Sequence, residues 1–396
     1  MNIYLFGLPM INKKLGYYSV NNIEFDSKIK ALAYATQHGF EPKWHFNDDE
    51  YGSYNWTVEP MQTLDELYDI RARQLREKYD YLILSYSGGA DSHNILMSFI
   101  RQGLHLDEIV VNTMEKGNKK TTTVSANNIE ATNAAAEHDL QTVPRLKEAA
   151  KLMPNTKITI CDLTDYLFDY LEGVGDESWV FDKREGLNPA GMTRFNYLHF
   201  IDIRRHFDKD KSFGIIMGIE KPRCFIHKNR FIVSYSDRAT NITTVAEHFK
   251  EYSNSTIEFF YWSPEALDIQ CKQVHTIKRW LEAFPQYRDY WDAEKGMDFK
   301  TIRLVHERLL RSVLYTTWDN SWYQADKALK DWYSEFDQWF FDEYTDTKAA
   351  RIWKAGIDYV TNNLSNYIKT DENGFVDGLT VYSKRYYIGE MKPILV

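Results

Sequence analysis

Cysteine is scarce in this chain: three among 396 residues, Cys161, Cys224 and Cys271, and no C-x-x-C pair. That leaves no disulfide framework and no cysteine zinc motif, and it fits a reducing compartment. No histidines stand at H-E-x-x-H or similar spacing, so a zinc-hydrolase helix is not expected. No uninterrupted apolar run reaches about 18 residues, which argues against a membrane span. The opening MNIYLFGLPMINKK is apolar, yet Gly7 and Pro9 interrupt it and no basic region precedes it, so Ile3 to Phe6 reads as a strand and not as an export signal. An excess of positive charge is missing too, since 48 Lys and Arg face 57 Asp and Glu for a net charge of −9. No global field draws the protein toward nucleic acid or an anionic membrane, although a local basic patch stays open. A cytoplasmic protein is expected. Internal repeats and low-complexity tracts are absent as well.

What is present is globular: 43% hydrophobic and 15% aromatic residues. Residues 1–60 read as a small mixed segment with a helix around Ser27 to Gln37. The acidic trio Asp48, Asp49 and Glu50 reads as a solvated loop, because it lacks the glycine and spaced ligands of a calcium loop.

Residues 61–250 alternate. Thr63 and Glu66 form a capping box, after which Leu64, Leu67, Tyr68, Leu75 and Tyr79 recur at helical spacing. A strand over Tyr81 to Ser85 follows, then a helix carrying Ile95, Leu96, Phe99 and Ile100 up to Gly103, then a strand over Ile109 to Val111. Helices are predicted over 126–136 and Val143 to Leu152, with strands at Lys157 to Cys161 and in FGIIMG, Phe213 to Gly218. YLHFIDIRRHF carries a helical stripe, and CFIHKNRFIV predicts a hairpin turning at Lys228 and Asn229. This alternation implies an α/β, mostly parallel, doubly wound sheet covered on both faces. Residues 251–396 read as a mainly helical second domain, opening at Ser263 as N-cap and Pro264, with Leu267, Cys271, Val274, Ile277 and Leu281 along one face. Its many Trp and Tyr residues are expected in the core, and GFVDGLTVYSKRYYIGEM reads as a closing strand pair.

The chemistry concentrates in YLILSYSGGADSHNIL, residues 81–96. A phosphate chain needs many donors at close range; glycines let backbone N–H groups approach, and a following helix aims its positive end at the anion. Ser87 and Ser92 add hydroxyls. Asp91 would be repelled by bare phosphate, so it points to a bound Mg²⁺ or to a cap on the helix. Neither G-x-x-x-x-G-K-[ST] nor G-x-G-x-x-G occurs.

Ser87-Gly88-Gly89-Ala90-Asp91-Ser92 resembles the S-G-G-x-D-S signature of the PP-loop ATP pyrophosphatase superfamily, whose fold is HUP-like, and the predicted strand-to-helix setting is similar as well. The resemblance spans residues 61–250 and looks closest to the catalytic half of asparagine synthetase. It implies a loop that binds the β,γ-pyrophosphate of ATP, attack of a substrate oxygen on the α-phosphate, release of pyrophosphate, and displacement of AMP by an amine or other nucleophile, with ATP and Mg²⁺ as cofactors and Asp91 as metal ligand. Asn112 to Met114 would then lie by the base or ribose, or be an ordinary strand end. Lys221 and Arg223, after FGIIMG, would neutralise phosphate charge, or form a solvated basic turn. His93 could donate to a phosphate or sit solvated in the first helical turn. Lys384 and Arg385 could close as a lid or line a strand edge, and Asp162 could orient substrate or cap the next helix.

Departures from the superfamily narrow the reading. No cysteine precedes Cys161, so the glutaminase of asparagine synthetase is not expected within this sequence; paired sulfur-transfer cysteines and a zinc-binding cysteine cluster are missing, and the acidic balance disfavours a tRNA ligase. The expected function is an ATP-dependent, AMP-forming ligase that adenylates a carboxylate or carbonyl oxygen of a small substrate. Two other classes stay open: an ATP-sensing module without turnover, and a nucleobase-modifying enzyme, which would need a basic groove.

Overall fold

The computed structural model describes residues 13, 16–113, 137–181, 200, 203–204, 207–208, 210–219, 221–237, 254–297, 301–322, 333, 335–370, 374, 376–378 and 380–393. The strand read at Ile3 to Phe6, the helix over 126–136 and Met114 lie outside the described residues.

The first described element is a three-stranded antiparallel sheet of β1 (Tyr17–Val20), β2 (Ile23–Phe25) and β3 (Lys43–His45), ordered β2-β1-β3. Asn21 and Asn22 join β1 to β2 with φ of 49° and 65°, the left-handed pair that a two-residue hairpin turn requires. Between β2 and β3 runs α1 (Lys28–His38), where the Ser27 hydroxyl accepts the Lys30 N–H and Gly39 ends the helix at φ 71°. The acidic trio is not a loop. It forms the first turn of α2 (Asp48–Ser53), where three carboxylates meet the helix's positive end, and Asp48 bonds His45 Nδ1 at 2.8 Å.

α3 (Leu64–Lys78) starts at the expected capping box: Glu66 accepts the Thr63 N–H at 2.8 Å and Thr63 Oγ1 accepts the Glu66 N–H at 3.2 Å. Then come β4 (Tyr81–Ser85), α4 (Ala90–Arg101), β5 (Glu108–Thr113), α5 (Val143–Leu152), β6 (Lys157–Asp162), α6 (Thr164–Val174) and β7 (Phe213–Met217). The hairpin of β8 (Arg223–His227) and β9 (Arg230–Ser234) turns where expected, with Lys228 at φ 50° and Asn229 at φ 62°. β10 (Ser255–Phe259) completes a five-stranded parallel sheet ordered β10-β7-β4-β5-β6. This α/β sheet, with its order reversing between β4 and β7, fits a doubly wound fold.

β10 lies beyond residue 250, and the sequence reading passed over it. Its fourth residue, Glu258, is 2% exposed and breaks the apolar run by which a buried strand is recognised. The carboxylate is held by Arg71 Nη2 at 3.0 Å and Lys78 Nζ at 2.7 Å, both from α3, and by the Tyr79 hydroxyl at 2.5 Å. Helix α3 is thereby fastened to the sheet edge.

After a turn at Pro264–Ala266, capped by Ser263, come α7 (Leu267–Ala283), α8 (Glu307–Leu314), α9 (Glu335–Tyr344) and α10 (Lys348–Asn363). Trp179 stacks on Trp353 of α10 at 4.5 Å; Trp280, Trp291, Trp318 and Trp353 are core as expected, whereas Phe284, Tyr290, Tyr382 and Tyr387 are exposed. One contiguous buried cluster runs from Tyr18 to Met391. The tail strands do form, but not with each other: β11 (Ile368–Thr370) takes β12 (Val376–Gly378), and β13 (Tyr386–Glu390) joins β9. An isolated hairpin is marginal in water; beside β9, β13 buries Tyr386 and Ile388. Among the described residues no helix is long and apolar enough to cross a membrane.

Glu258→Ala leaves the buried Arg71 with the half-exposed Glu265 as its remaining counter-charge and should cost about 1–3 kcal/mol of folding stability, read from the urea midpoint. A loss below about 1 kcal/mol would show that the network is surface-like and does not hold β10 in place.

Candidate functional site

Ligands in open α/β sheets bind outside the carboxyl ends of the strands where the order reverses. Here that crevice lies beyond β4 and β7, and the loop Tyr86 to Gly89 leads out of β4 directly into α4. Gly88 stands at φ 71°, and a Cβ there would lie 2.7 Å from Thr142 Cα; both conformation and packing require glycine. Gly89 is different. It is the N-cap of α4 in extended backbone, offers no side-chain cap, and a Cβ would meet only Ser87 Oγ at 3.3 Å and Gln141 Nε2 at 3.8 Å.

The first-turn N–H groups of α4, on Ala90, Asp91 and Ser92, have no carbonyl one turn back within the helix. The loop carbonyls are held from behind: Thr142 Oγ1 donates to Ser87 O at 2.6 Å, and the Arg145 guanidinium donates to Gly88 O. In a trans peptide the N–H points opposite to the C=O, so these two bonds turn the N–H groups of Gly88 and Gly89 toward the other side. The hydroxyls are only lightly engaged. Ser87 Oγ and Ser92 Oγ lie 3.3 Å apart, and Gly89 N–H reaches Ser87 Oγ at 3.3 Å, the long end of hydrogen bonding. Arg145 itself lies under Trp318 at 4.4 Å and Trp322 at 4.9 Å.

Asp91 is the charged centre. Lys221 Nζ, from the segment after β7, sits 2.8 Å from both carboxylate oxygens, and the Tyr315 hydroxyl donates to Oδ1 at 2.5 Å. Burial pushes the Asp91 carboxyl up, but the Lys221 ammonium, the Tyr315 hydroxyl and the Arg311 charge outweigh it and hold it below the usual range. It is ionised at neutral pH. Tyr315, raised far above its ordinary range by burial and by Asp91, stays protonated and so donates to the carboxylate.

Lys221 thus meets the loop across 130 positions of sequence. Arg223 does not share the bond to Asp91; it pairs with Glu307 at 3.1 Å. Asn112 sits half-buried near the carboxyl end of β5, beside Cys161 of β6. Asp162 accepts the Thr164 N–H at 3.0 Å and its hydroxyl at 2.7 Å, and so satisfies the first N–H of α6 from just ahead of the cap position, Leu163. Lys384 lies 3.3 Å from Asp48, and Arg385 stacks over Phe225 at 5.0 Å. His93 is neither solvated nor a free donor: it is 7% exposed, bonded to the Tyr86 hydroxyl at 3.0 Å and edged by Trp322 at 5.2 Å. Burial, with Arg145 adding to it, pushes its pKa down to about 4.

Sequence reasoning missed Thr142, Arg145, Arg311 and Tyr315. None carries a local motif; the need of the loop carbonyls for donors was the only available signal. Among the described residues no group of three or more His, Cys, Asp or Glu could hold a metal. One carboxylate suits Mg²⁺ that arrives with phosphate oxygens and waters to complete its shell.

The unfolded His93 imidazole protonates near 6.5 and the folded one near 4. Between these values the unfolded chain holds the extra proton, so stability falls as pH is lowered, by about 3 kcal/mol in all. His93→Gln should flatten that part of the stability curve in urea melts; an unchanged slope would contradict a buried neutral imidazole.

No protein-family model matches the chain, and no curated protein matches it in sequence.

Proposed function

We propose that this protein is an ATP-dependent, AMP-forming ligase of the PP-loop ATP pyrophosphatase kind, acting on a small substrate with a carboxylate or carbonyl oxygen. The observation that carries the reading is the meeting of three donor sets at the reversal of strand order: N–H groups of the Gly88–Gly89 turn, the uncapped start of α4, and Lys221 beside an ionised Asp91.

Each part has a task. The turn and the first turn of α4 take the β- and γ-phosphoryl oxygens through N–H groups, with Ser87 and Ser92 able to rotate their weakly held hydroxyls to the same anion. Asp91 would hold Mg²⁺, which would supply positive charge to offset that of the leaving pyrophosphate. The substrate oxygen attacks the α-phosphorus, the bond to the β-phosphate oxygen breaks, and pyrophosphate leaves against Lys221. An amine or other nucleophile then attacks the adenylated carbon, and AMP departs with the activated oxygen. Lys221 remains the better placed cation, because Arg223 is engaged with Glu307.

The test is turnover of ATP by the full chain with Mg²⁺ across pooled metabolites. AMP and pyrophosphate are expected; ADP and phosphate would rule out attack at the α-phosphorus. Gly89→Ala should keep the melting behaviour within about 0.5–1 kcal/mol of the parent yet lose nucleotide binding, since its methyl would crowd Ser87 Oγ within the donor turn. Asp91→Asn should lower turnover by at least about 100-fold. Undiminished AMP formation in both variants would remove the site.

A further inference from the structure

The support of Asp91 is lopsided. Tyr315, which donates to Oδ1, is clamped on both sides to α3: the Tyr68 hydroxyl donates to Leu314 O at 3.0 Å, and Thr316 Oγ1 donates to Asp65 at 2.6 Å. Tyr68 is in turn fixed by Gln273 of α7 at 3.0 Å. The backbone of Asp91 is held as well, its carbonyl accepting from the Tyr261 hydroxyl at 2.9 Å, which itself takes a bond from Asn94 at 3.0 Å. Tyr68, Tyr261 and Tyr315 pack ring to ring around the carboxylate, with centroids 5.7 to 6.1 Å apart. Three buried rings, from α3, the segment after β10 and the end of α8, hold Asp91 in one orientation.

Lys221 is the opposite. Its ammonium reaches Asp91 at the end of a flexible stem, from a short segment between β7 and β8, and among the described residues it bonds nothing else. The carboxylate side chain is 25% exposed and the lysine 15%. A carboxylate held from several sides, facing a cation that bonds that carboxylate alone among the described residues, suits an exchange of one cation for another.

We propose that Tyr315 is a positioning residue that holds Asp91 ready for a metal ion, and that the Lys221 ammonium occupies the Mg²⁺ position until Mg²⁺ and a nucleoside triphosphate arrive together. Resting on the ligase reading above, this adds how the site is regulated. Mg²⁺ alone brings too few ligands to displace the ammonium from a single carboxylate, whereas Mg²⁺ on a triphosphate brings phosphate oxygens of its own. The displaced Lys221 then has phosphate oxygens to bond, so the charge that guarded the empty site becomes part of the filled one. No bond is made or broken in this exchange; two cations trade partners.

Mn²⁺ titrations of the full chain, followed by electron paramagnetic resonance with and without α,β-methylene ATP, test the exchange. Lys221→Met should bind Mn²⁺ alone about fivefold or more tightly than the parent and bind α,β-methylene ATP about tenfold more weakly. Opposite signs from one substitution are the mark of the exchange. Lys221→Gln, which keeps a hydrogen bond to Asp91, serves if the methionine variant fails to fold and should shift both affinities in the same directions. Tyr315→Phe should weaken Mn²⁺ in the ternary complex several-fold while leaving metal-free binding of the analogue unchanged. If the parent binds the analogue but removing the ammonium leaves Mn²⁺ affinity unaltered, the exchange is wrong and the nucleotide seat stands. If Tyr315→Phe lowers only the melting temperature, its role is structural and the proposal fails there. If the parent binds no analogue at any Mn²⁺ concentration, the ligase reading fails and this inference with it.

Discussion

Two carbonyl oxygens, of Ser87 and Gly88, are tied down by Thr142 and Arg145, and the character of the whole site follows from that. A backbone turn has donors and acceptors in equal number and is on its own indifferent to charge. With its acceptors tied on one side, the turn presents donors on the other, which would favour an anion there. The left-handed Gly88 is what lets the turn press against Thr142 closely enough for those bonds. Arg145, fixed under two tryptophans, extends the control to the aromatic core of the C-terminal half.

Against this donor surface stands one carboxylate. Asp91 would spoil an anion seat if it were unpaired, and burial alone would push it toward neutrality. Lys221 and Tyr315 keep it ionised, so the site holds both signs of charge a few ångströms apart, the arrangement suited to a ligand that is itself a metal salt of a polyanion. The heavy aromatic content therefore does more than fill volume. Tyr68, Tyr261 and Tyr315 present hydroxyls that their raised pKa keeps protonated, which gives orientation without adding charge.

Much of the fold was legible in the sequence because local rules wrote it. The Thr63–Glu66 box, the strand–glycine–helix unit from Tyr81 to Gly103, the Lys228–Asn229 turn and the Ser263 cap each depend on residues within a few positions. Legibility ended where long-range electrostatics took over. β10 was hidden by Glu258, a charge tolerated in a buried strand only because α3 supplies Arg71 and Lys78. The acidic trio lacks calcium-loop spacing and so reads as a solvated loop, yet its three carboxylates are favourable at a helix start. In the site, the loop and Lys221 could be placed from the strand pattern, since any residue following a strand lies at its carboxyl end. Tyr315, Arg145 and the burial of His93 could not, because they depend on how helices distant in sequence settle over that end.

The strand order also fixes a timetable. The glycine turn leaves the ribosome early, but its cationic partner is more than a hundred residues behind it, and the tyrosine that steadies Asp91 is farther still, at position 315. A nascent chain halted before β7 carries the motif with neither partner. The Asp91–Lys221–Tyr315 cluster is thus completed late in synthesis, by a chain that has already made all five strands of its parallel sheet.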